Sequence, residues 1–313
     1  FEFLTALAFT YFAQQKIDLG VIEVGLGGRY DATNILEPLC SVITSIGLDH
    51  EKYLGSTLAQ IAGEKGGIIK SGRPVITAVT AEEADLCLQQ KAAEVKAPLV
   101  KVMEQKDSLR ILNRKGFKTE FKFIWRGEEY TFTPSLLGHH QGLNAACALV
   151  VADILSRIWR PLERSKIVAG LEVAHWEGRL EILSEEPLVI IDGAHNPSGI
   201  KALRKFIDEF LPSLDVLIFA CMRDKRIAEM AEIVFPPAKN IILTRFPYHR
   251  SAFPQEIYQR VGVFQEKIIM VPEVFQALQK AREIVSSRGI IVAAGSLYLV
   301  GEVKKYWPLV EKR

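Results

Sequence analysis

The chain has 313 residues, enough for two domains at ~100–200 residues each, so a short peptide is excluded. Hydrophobic residues make up 49% and charged residues 24%, which sets aside a disordered tail or a collagenous chain. Thirty-nine basic against thirty-seven acidic side chains leave a net charge of +2, without the basic excess that nucleic-acid binding by counterion release requires.

Apolar residues Phe1, Leu4, Leu7, Ala8, Tyr11 and Phe12 recur at helical spacing and predict an opening amphipathic helix. "DLGVIEVGLGG", "CSVITSIGLDH" and "RPVITAV" are β-branched runs with helical segments between them, the alternation of a parallel sheet. From roughly Leu99 to Phe132 short alternating runs, "FKTEFKFIWRGEEYTF" among them, predict antiparallel hairpins. Two helices follow, over "GHHQGLNAACALVVADILSR" and "PLERSKIVAGLEVA". "HWEGRLEIL" restarts the chain, and the strand candidates "PLVIIDGAHNP", "DVLIFACMRD" and "GIIVAAGSLYL" predict a second α/β unit. The boundary falls near Glu177, giving portions 1–176 and 177–313.

Cys40, Cys87, Cys147 and Cys221 lie far apart with no CxxC pair, against a zinc ribbon or disulfide framework and in keeping with a reducing cytoplasm. Apolar stretches such as "GIIVAAGSLYLVG" fall short of the ~20 residues that cross a bilayer, so no membrane span is expected. The N-terminus begins at Phe1 and lacks a basic n-region and cleavage site, from which a start partway through a longer protein is expected.

Parallel sheets bind ligands beyond the carboxyl ends of their strands, so polar residues there carry most weight. Glu23 closes "LGVIE" and His50 closes "VITSIGLDH"; together they suggest a hard-metal site, against the alternative of a structural salt bridge and a helix-capping histidine. Lys65 in "IAGEKGGIIK" is either a cation for phosphate or a solvated helix lysine. "GLGGR" fails as a dinucleotide fingerprint, because its third glycine would be Tyr30. No Gly-Lys dipeptide occurs in the 313 residues, so the Walker-A loop is absent from them. In "IIDGAHNPSG", Asp192 and His195 lie between a strand and a helix that Asn196 and Pro197 are suited to start; capping alone would explain Asp192 but not the histidine. Arg179 and Asn144 flank the expected boundary, where an arginine can pair with phosphate and an amide can read an adenine edge. His139 and His140 lack further ligands at zinc spacing and are read as helix-end polarity.

Taken together, "LGVIEVGLGGRYDATN", "SVITSIGLDHEKYLG", "IAGEKGGIIKSGRPV", "GHHQGLNAACA", "WEGRLEIL" and "IDGAHNPSG" closely resemble the folylpolyglutamate synthase and dihydrofolate synthase family of the Mur-ligase superfamily, in that family's order from Phe1 to "AAGSLYLVGEV". The resemblance implies an α/β protein: a mostly parallel-sheet Mur-ligase central domain, incomplete and lacking its phosphate loop, followed by a Rossmann-like α/β C-terminal domain. It implies an ATP-dependent amide ligase joining L-glutamate to the γ-carboxylate of a reduced folate, tetrahydrofolate, or to dihydropteroate, through an acyl phosphate. ATP is then the co-substrate and Mg2+ the cofactor, with no nucleic-acid or membrane partner, in a cytoplasmic monomer.

By the same resemblance Glu23 and His50 correspond to magnesium ligands and Lys65 to a carbamylated lysine that joins the metal site and the catalytic set. Asn144 and Arg179 correspond to nucleotide contacts, and Asp192 and His195 to the catalytic loop that faces ATP and the incoming glutamate. Ser296 and Tyr298 in "GSLYLVG" are carried over as substrate neighbours. Two departures stand out. Family members carry an upstream loop of the "GTNGKGS" type, without which this stretch alone is expected to be inactive. Glu177 replaces the proline usual before Gly-Arg and either sets a negative charge beside Arg179 or is exposed.

Overall fold

The computed structural model describes residues 1–105 and 107–311. The chain forms two compact units: Phe1–Arg110 with Lys122–Tyr130 and Leu143–Val168, and Ile111–Phe121 with Thr131–Gly142 and Ala169–Arg313.

In the first unit the opening helix forms as α1 (Glu2–Gln15), but Phe3, Leu4, Leu7 and Tyr11 are exposed and only Thr5 is buried. The strand expected at "DLGVIEV" does not form. A strand exists only within a ladder. β1 (Ser41–Ile43) pairs with β2 (Val75–Thr77) on one side, and no described strand pairs on its other side. The β-branched run is irregular instead, with Val21 95% exposed. Helices α2 (Glu51–Leu54) and α3 (Leu58–Lys65) follow β1, the latter started by a capping box of Thr57 and Gln60.

α4 (Glu82–Glu94) carries Ala84, Leu88 and Ala92 into a core shared with Ile43, Ala62 and Val75. β3 (Leu99–Lys101) pairs in parallel with β2, so the expected hairpin region starts later: these residues belong to the parallel sheet, in order β1-β2-β3.

The hairpins are β4 (Leu109–Lys115), β5 (Lys118–Trp125) and β6 (Glu128–Phe132), a separate three-stranded sheet in that order. Each connection has two residues, which only antiparallel neighbours permit, and Arg126 and Gly127 both take positive φ at the second turn. On β5, Thr119, Phe121, Phe123 and Trp125 alternate into the interior. α5 (His139–Ile158) and α6 (Arg164–Val173) follow. Contrary to the expectation that every apolar stretch is too short, α5 has the length and composition to cross a bilayer; half of that window is buried inside the protein, as in a core helix.

The second unit holds a six-stranded sheet in order β11-β10-β9-β12-β8-β7. Its elements run β7 (Glu181–Glu185), β8 (Leu188–Asp192), α7 (Pro197–Phe210), β9 (Leu214–Phe219), α8 (Ile227–Val234), β10 (Ala238–Arg245) and α9 (Pro254–Tyr258). β11 (Ile268–Glu273), α10 (Val274–Ile284), β12 (Ile290–Ala294) and α11 (Leu297–Glu311) complete it. All neighbours are parallel except β7 with β8.

Three strand candidates were expected after the restart, and β10 and β11 are additional; β11 is a sheet edge with no buried position, so its apolar run is short and interrupted. One face of the sheet packs on Ile200, Leu203 and Phe206 of α7 and Met230 and Val234 of α8, the other on Leu278 of α10 and Leu299, Val303 and Trp307 of α11. The chain leaves β8 and β9 toward the first face and β12, which lies between them, toward the second. Connections diverging from adjacent strands open a crevice at their carboxyl ends.

Candidate active site

In the second unit that crevice holds the loop after β8. Asp192, the last residue of β8, pairs across the ladder with Ala294 of β12, two residues before Ser296. Its buried carboxylate accepts the Leu180 amide at 2.9 Å and the Ala194 amide at 2.8 Å. Burial pushes this carboxyl above the usual carboxylate range, while those two amides and the charges of Arg179 and His195 pull it back. Leu180 is held at φ 47, a left-handed conformation costly for leucine. Asp192 thus ties the turn before β7, where Arg179 precedes Leu180, to the loop that carries His195.

His195 places Nδ1 2.9 Å from the Gly193 carbonyl oxygen. A carbonyl can only accept, so Nδ1 bears the proton and Nε2 carries the lone pair in the neutral ring. Asn196 caps α7 by accepting the Gly199 amide, with Pro197 in the first turn, so the predicted helix start is the one observed. Ser296 is buried, and its Oγ accepts the Tyr298 amide at 3.1 Å at the start of α11. Tyr298 is half exposed and stacks on Phe246 and on Tyr248, with ring centroids 5.6 Å and 4.7 Å apart. Phe246 and Tyr248 follow β10 and were not anticipated; the signal is "FPYH" directly after "NIILTR", visible only once that run is read as a strand.

Arg179 is half-buried and adds a positive charge beside His140, whose imidazole is held below its usual range first by burial and then by that guanidinium. Glu177 is exposed and pairs at 3.1 Å with Lys304 of α11, which also holds Glu181 at 2.8 Å. Lys304 is thus shared between two carboxylates and offsets part of the Glu177 charge. His139 begins α5 with Nε2 3.0 Å from a Glu209 oxygen, a structural pairing.

In the first unit the glycine-rich "GLGGR" docks on the end of α3. A Cβ on Gly67 would lie 2.4 Å from Arg29 Cα, and one on Gly28 2.8 Å from the Glu64 and Lys65 carbonyl oxygens, so both positions require glycine for backbone approach. Arg29 donates its amide to the Glu64 carbonyl, and the Asn34 side chain bridges the Arg29 and Gly67 carbonyls. Lys65, half-buried at the end of α3, lines a cavity of about 870 Å³ together with Glu23, Phe12, Leu36, Ser45 and Val151. Asn144 is exposed in α5.

Glu23 and His50 do not close neighbouring strands as expected. Glu23 sits exposed on the irregular segment; His50, exposed with φ 52, begins α2 with Nε2 3.9 Å from Asp49 and is not among the cavity's lining residues. Among the described residues no three His, Cys, Asp or Glu side chains converge into a metal cage. Magnesium needs only one or two protein oxygens beside water and phosphate, so the exposed Glu23 carboxylate at the cavity fits it; the solvent-facing imidazole of His50 is the poorer match.

Known proteins share this arrangement. Residues 178–297 match the family described as "Mur ligase, glutamate ligase domain" and residues 4–152 the "Mur ligase middle domain". A six-stranded sheet with its crevice at the strand ends, behind a smaller parallel sheet in sequence, is thus that of a Mur-type ligase, a superfamily of ATP-dependent enzymes.

A dihydrofolate synthase/folylpolyglutamate synthase of Bacillus subtilis is 35% identical over 312 residues, covering 97% of this chain and 71% of that protein. The structure of Mycobacterium tuberculosis folylpolyglutamate synthase complexed with ADP and AMPPCP superposes with a TM-score of 0.86 at 26% identity, over 97% of this chain and 72% of that one. An E. coli FolC structure in complex with DHPP and ADP gives 0.83 at 26% identity, over 96% and 69%. The chain belongs to the dihydrofolate synthase/folylpolyglutamate synthase family, and its relatives support ATP-dependent ligation of glutamate to folates.

Proposed function

We propose that the protein joins L-glutamate to the γ-carboxylate of tetrahydrofolate, and to dihydropteroate in the synthase reaction, with residues 1–176 taking ATP and residues 177–313 taking glutamate. The observation that carries this reading is the crevice in which the His195 loop, Arg179 and Ser296 share the strand ends β8 and β12, in a chain of this family. A folate carboxylate oxygen attacks the γ-phosphorus of ATP, the bond to the bridging oxygen breaks, and ADP leaves with that electron pair. The product is an acyl phosphate, whose leaving group is phosphate rather than oxide. The glutamate amine attacks the acyl carbon, phosphate departs, and the amine proton passes to His195 Nε2, the lone-pair atom of the ring.

Arg179 pairs with phosphate oxygens, Asn144 reads the adenine edge, and Ser296 and Tyr298 border the incoming amino acid. Asp192 acts by holding the His195 loop and borders the nucleotide. Glu23 and, less suitably, His50 would hold magnesium, with Lys65 supplying a further oxygen if carbamylated, and the bound ion would offset negative charge on the phosphates. A cytoplasmic monomer completes the reading, checked by sedimentation and cell fractionation.

The absence of any Gly-Lys dipeptide from the 313 residues favours a second reading, a polypeptide that binds ligands without turning over. Steady-state release of ADP separates the two. Release by the Phe1–Arg313 chain that depends on both folate and glutamate supports the ligase reading for this chain as it stands. Retained AMPPCP binding without ADP release supports the second.

A further inference from the structure

An open groove of about 620 Å³ lies on the second unit along α7, the helix that the His195 loop starts. Its charges are unevenly committed. Arg204 pairs with Asp208 at 2.7 Å and donates to the Ile233 carbonyl, while Arg114 pairs with Glu209. Both acids are neutralised. Lys201 and Lys205 are exposed and have no partner among the described residues, so the groove keeps two uncompensated positive charges.

Their placement is regular. At 1.5 Å per residue they stand about 8 Å and about 14 Å along the helix from Asn196. As an i, i+4 pair they are separated by ~5–6 Å. A γ-linked glutamate chain has five backbone bonds per repeat, so its α-carboxylates recur every ~6 Å when extended. Flexible lysines accept carboxylates at such spacing without the fixed fork of a bidentate site.

We propose that the Lys201–Lys205 face of α7 is a binding track for a γ-linked oligoglutamate, the tail of an already elongated folate. The choice of ligand rests on the ligase reading above; the unpaired cations and their spacing do not. Two repeats span from the His195 loop to the second lysine, so the track favours acceptors that already carry several glutamates.

The test is fluorescence anisotropy of fluorescein-labelled penta-γ-L-glutamate with the Phe1–Arg313 chain, in dilute buffer and at ~150 mM NaCl. Binding that salt weakens is expected, with a loss of roughly tenfold or more in Lys201→Glu/Lys205→Glu. Lys280→Glu/Lys305→Glu makes the same charge change on α10 and α11, at the opposite sheet face, and is expected to bind as wild type does. No binding, or equal losses in the two variants, overturns the proposal. So does tripolyphosphate displacing the probe at lower concentration than unlabelled penta-γ-glutamate, which would mark a phosphate site. ATP is absent from this assay, so its failure leaves the ligase reading standing, and absence of ADP release leaves the track standing.

Discussion

Replacing Asp192 by alanine removes the acceptor of two backbone amides, those of Leu180 and Ala194, in a site that is almost fully buried. An orphaned buried N–H costs ~1–3 kcal/mol, so the two together cost about 2–6 kcal/mol. Leu180 would then be released from its left-handed conformation, returning about 1–2 kcal/mol. The expected net destabilisation therefore lies between about 0 and 5 kcal/mol, centred near 2–3 kcal/mol. Asp192→Asn keeps one acceptor oxygen but turns an NH2 toward the other amide, so it should fall between alanine and wild type. Urea unfolding followed by circular dichroism measures the sum, and hydrogen exchange of the Leu180 and Ala194 amides locates it. Exchange at those two amides unchanged in Asp192→Ala, with stability within about 0.5 kcal/mol of wild type, would refute the clip.

Asp153 accepts the buried Trp125 indole N–H at 3.0 Å and two bonds from Arg157; burial raises its carboxyl, but these bonds and the charges of Arg157 and Arg126 outweigh it and hold it below the usual range. Its folded value is depressed, so its contribution is present above the ordinary aspartate value of ~3.9 and is lost as pH falls through the folded one. An acid titration followed by tryptophan fluorescence should show that step, and Asp153→Asn should lack it. Burial pushes the Cys147 thiol up to about 11 and that of Cys221 to about 12, so a thiol reagent at pH ~8 should leave both unmodified in the native protein and label them after urea. Labelling of either at its unfolded rate would contradict the packing. Gly67→Ala forces a methyl against the Arg29 backbone and should lower the melting temperature, at a cost of about 1–3 kcal/mol; an unchanged value would show that the loop yields freely.

Much of the second unit was legible because β8, β9 and β12 are buried on both faces and read as continuous apolar runs closed by polar loops. Asp192, His195 and Ser296 stand out for the same reason: they follow such runs. β10 went unread despite four consecutive buried residues, and the Phe246–Tyr248 platform beneath Tyr298 went with it. "LGVIEV" failed in the opposite direction. Its composition is that of an interior strand, yet it stays out of the ladder although one edge of β1 has no described strand beside it, and composition does not state which runs will pair. The pairing of Asp192 with the Leu180 amide depends on a backbone twelve residues away, so no local pattern announces it.

Reversing one strand decides which end of the sequence around it can take part in chemistry. β7 runs against its five companions, so it enters the sheet where they exit, with Glu181 opposite Ile191. Had it run with them, Arg179 would stand at the far end of a five-residue ladder, ~17 Å away. A search confined to residues downstream of strands overlooks an arginine that arrives from upstream. In sheets bordered by one antiparallel member, the approach to that member belongs in the search for ligand contacts as much as the exits of the others.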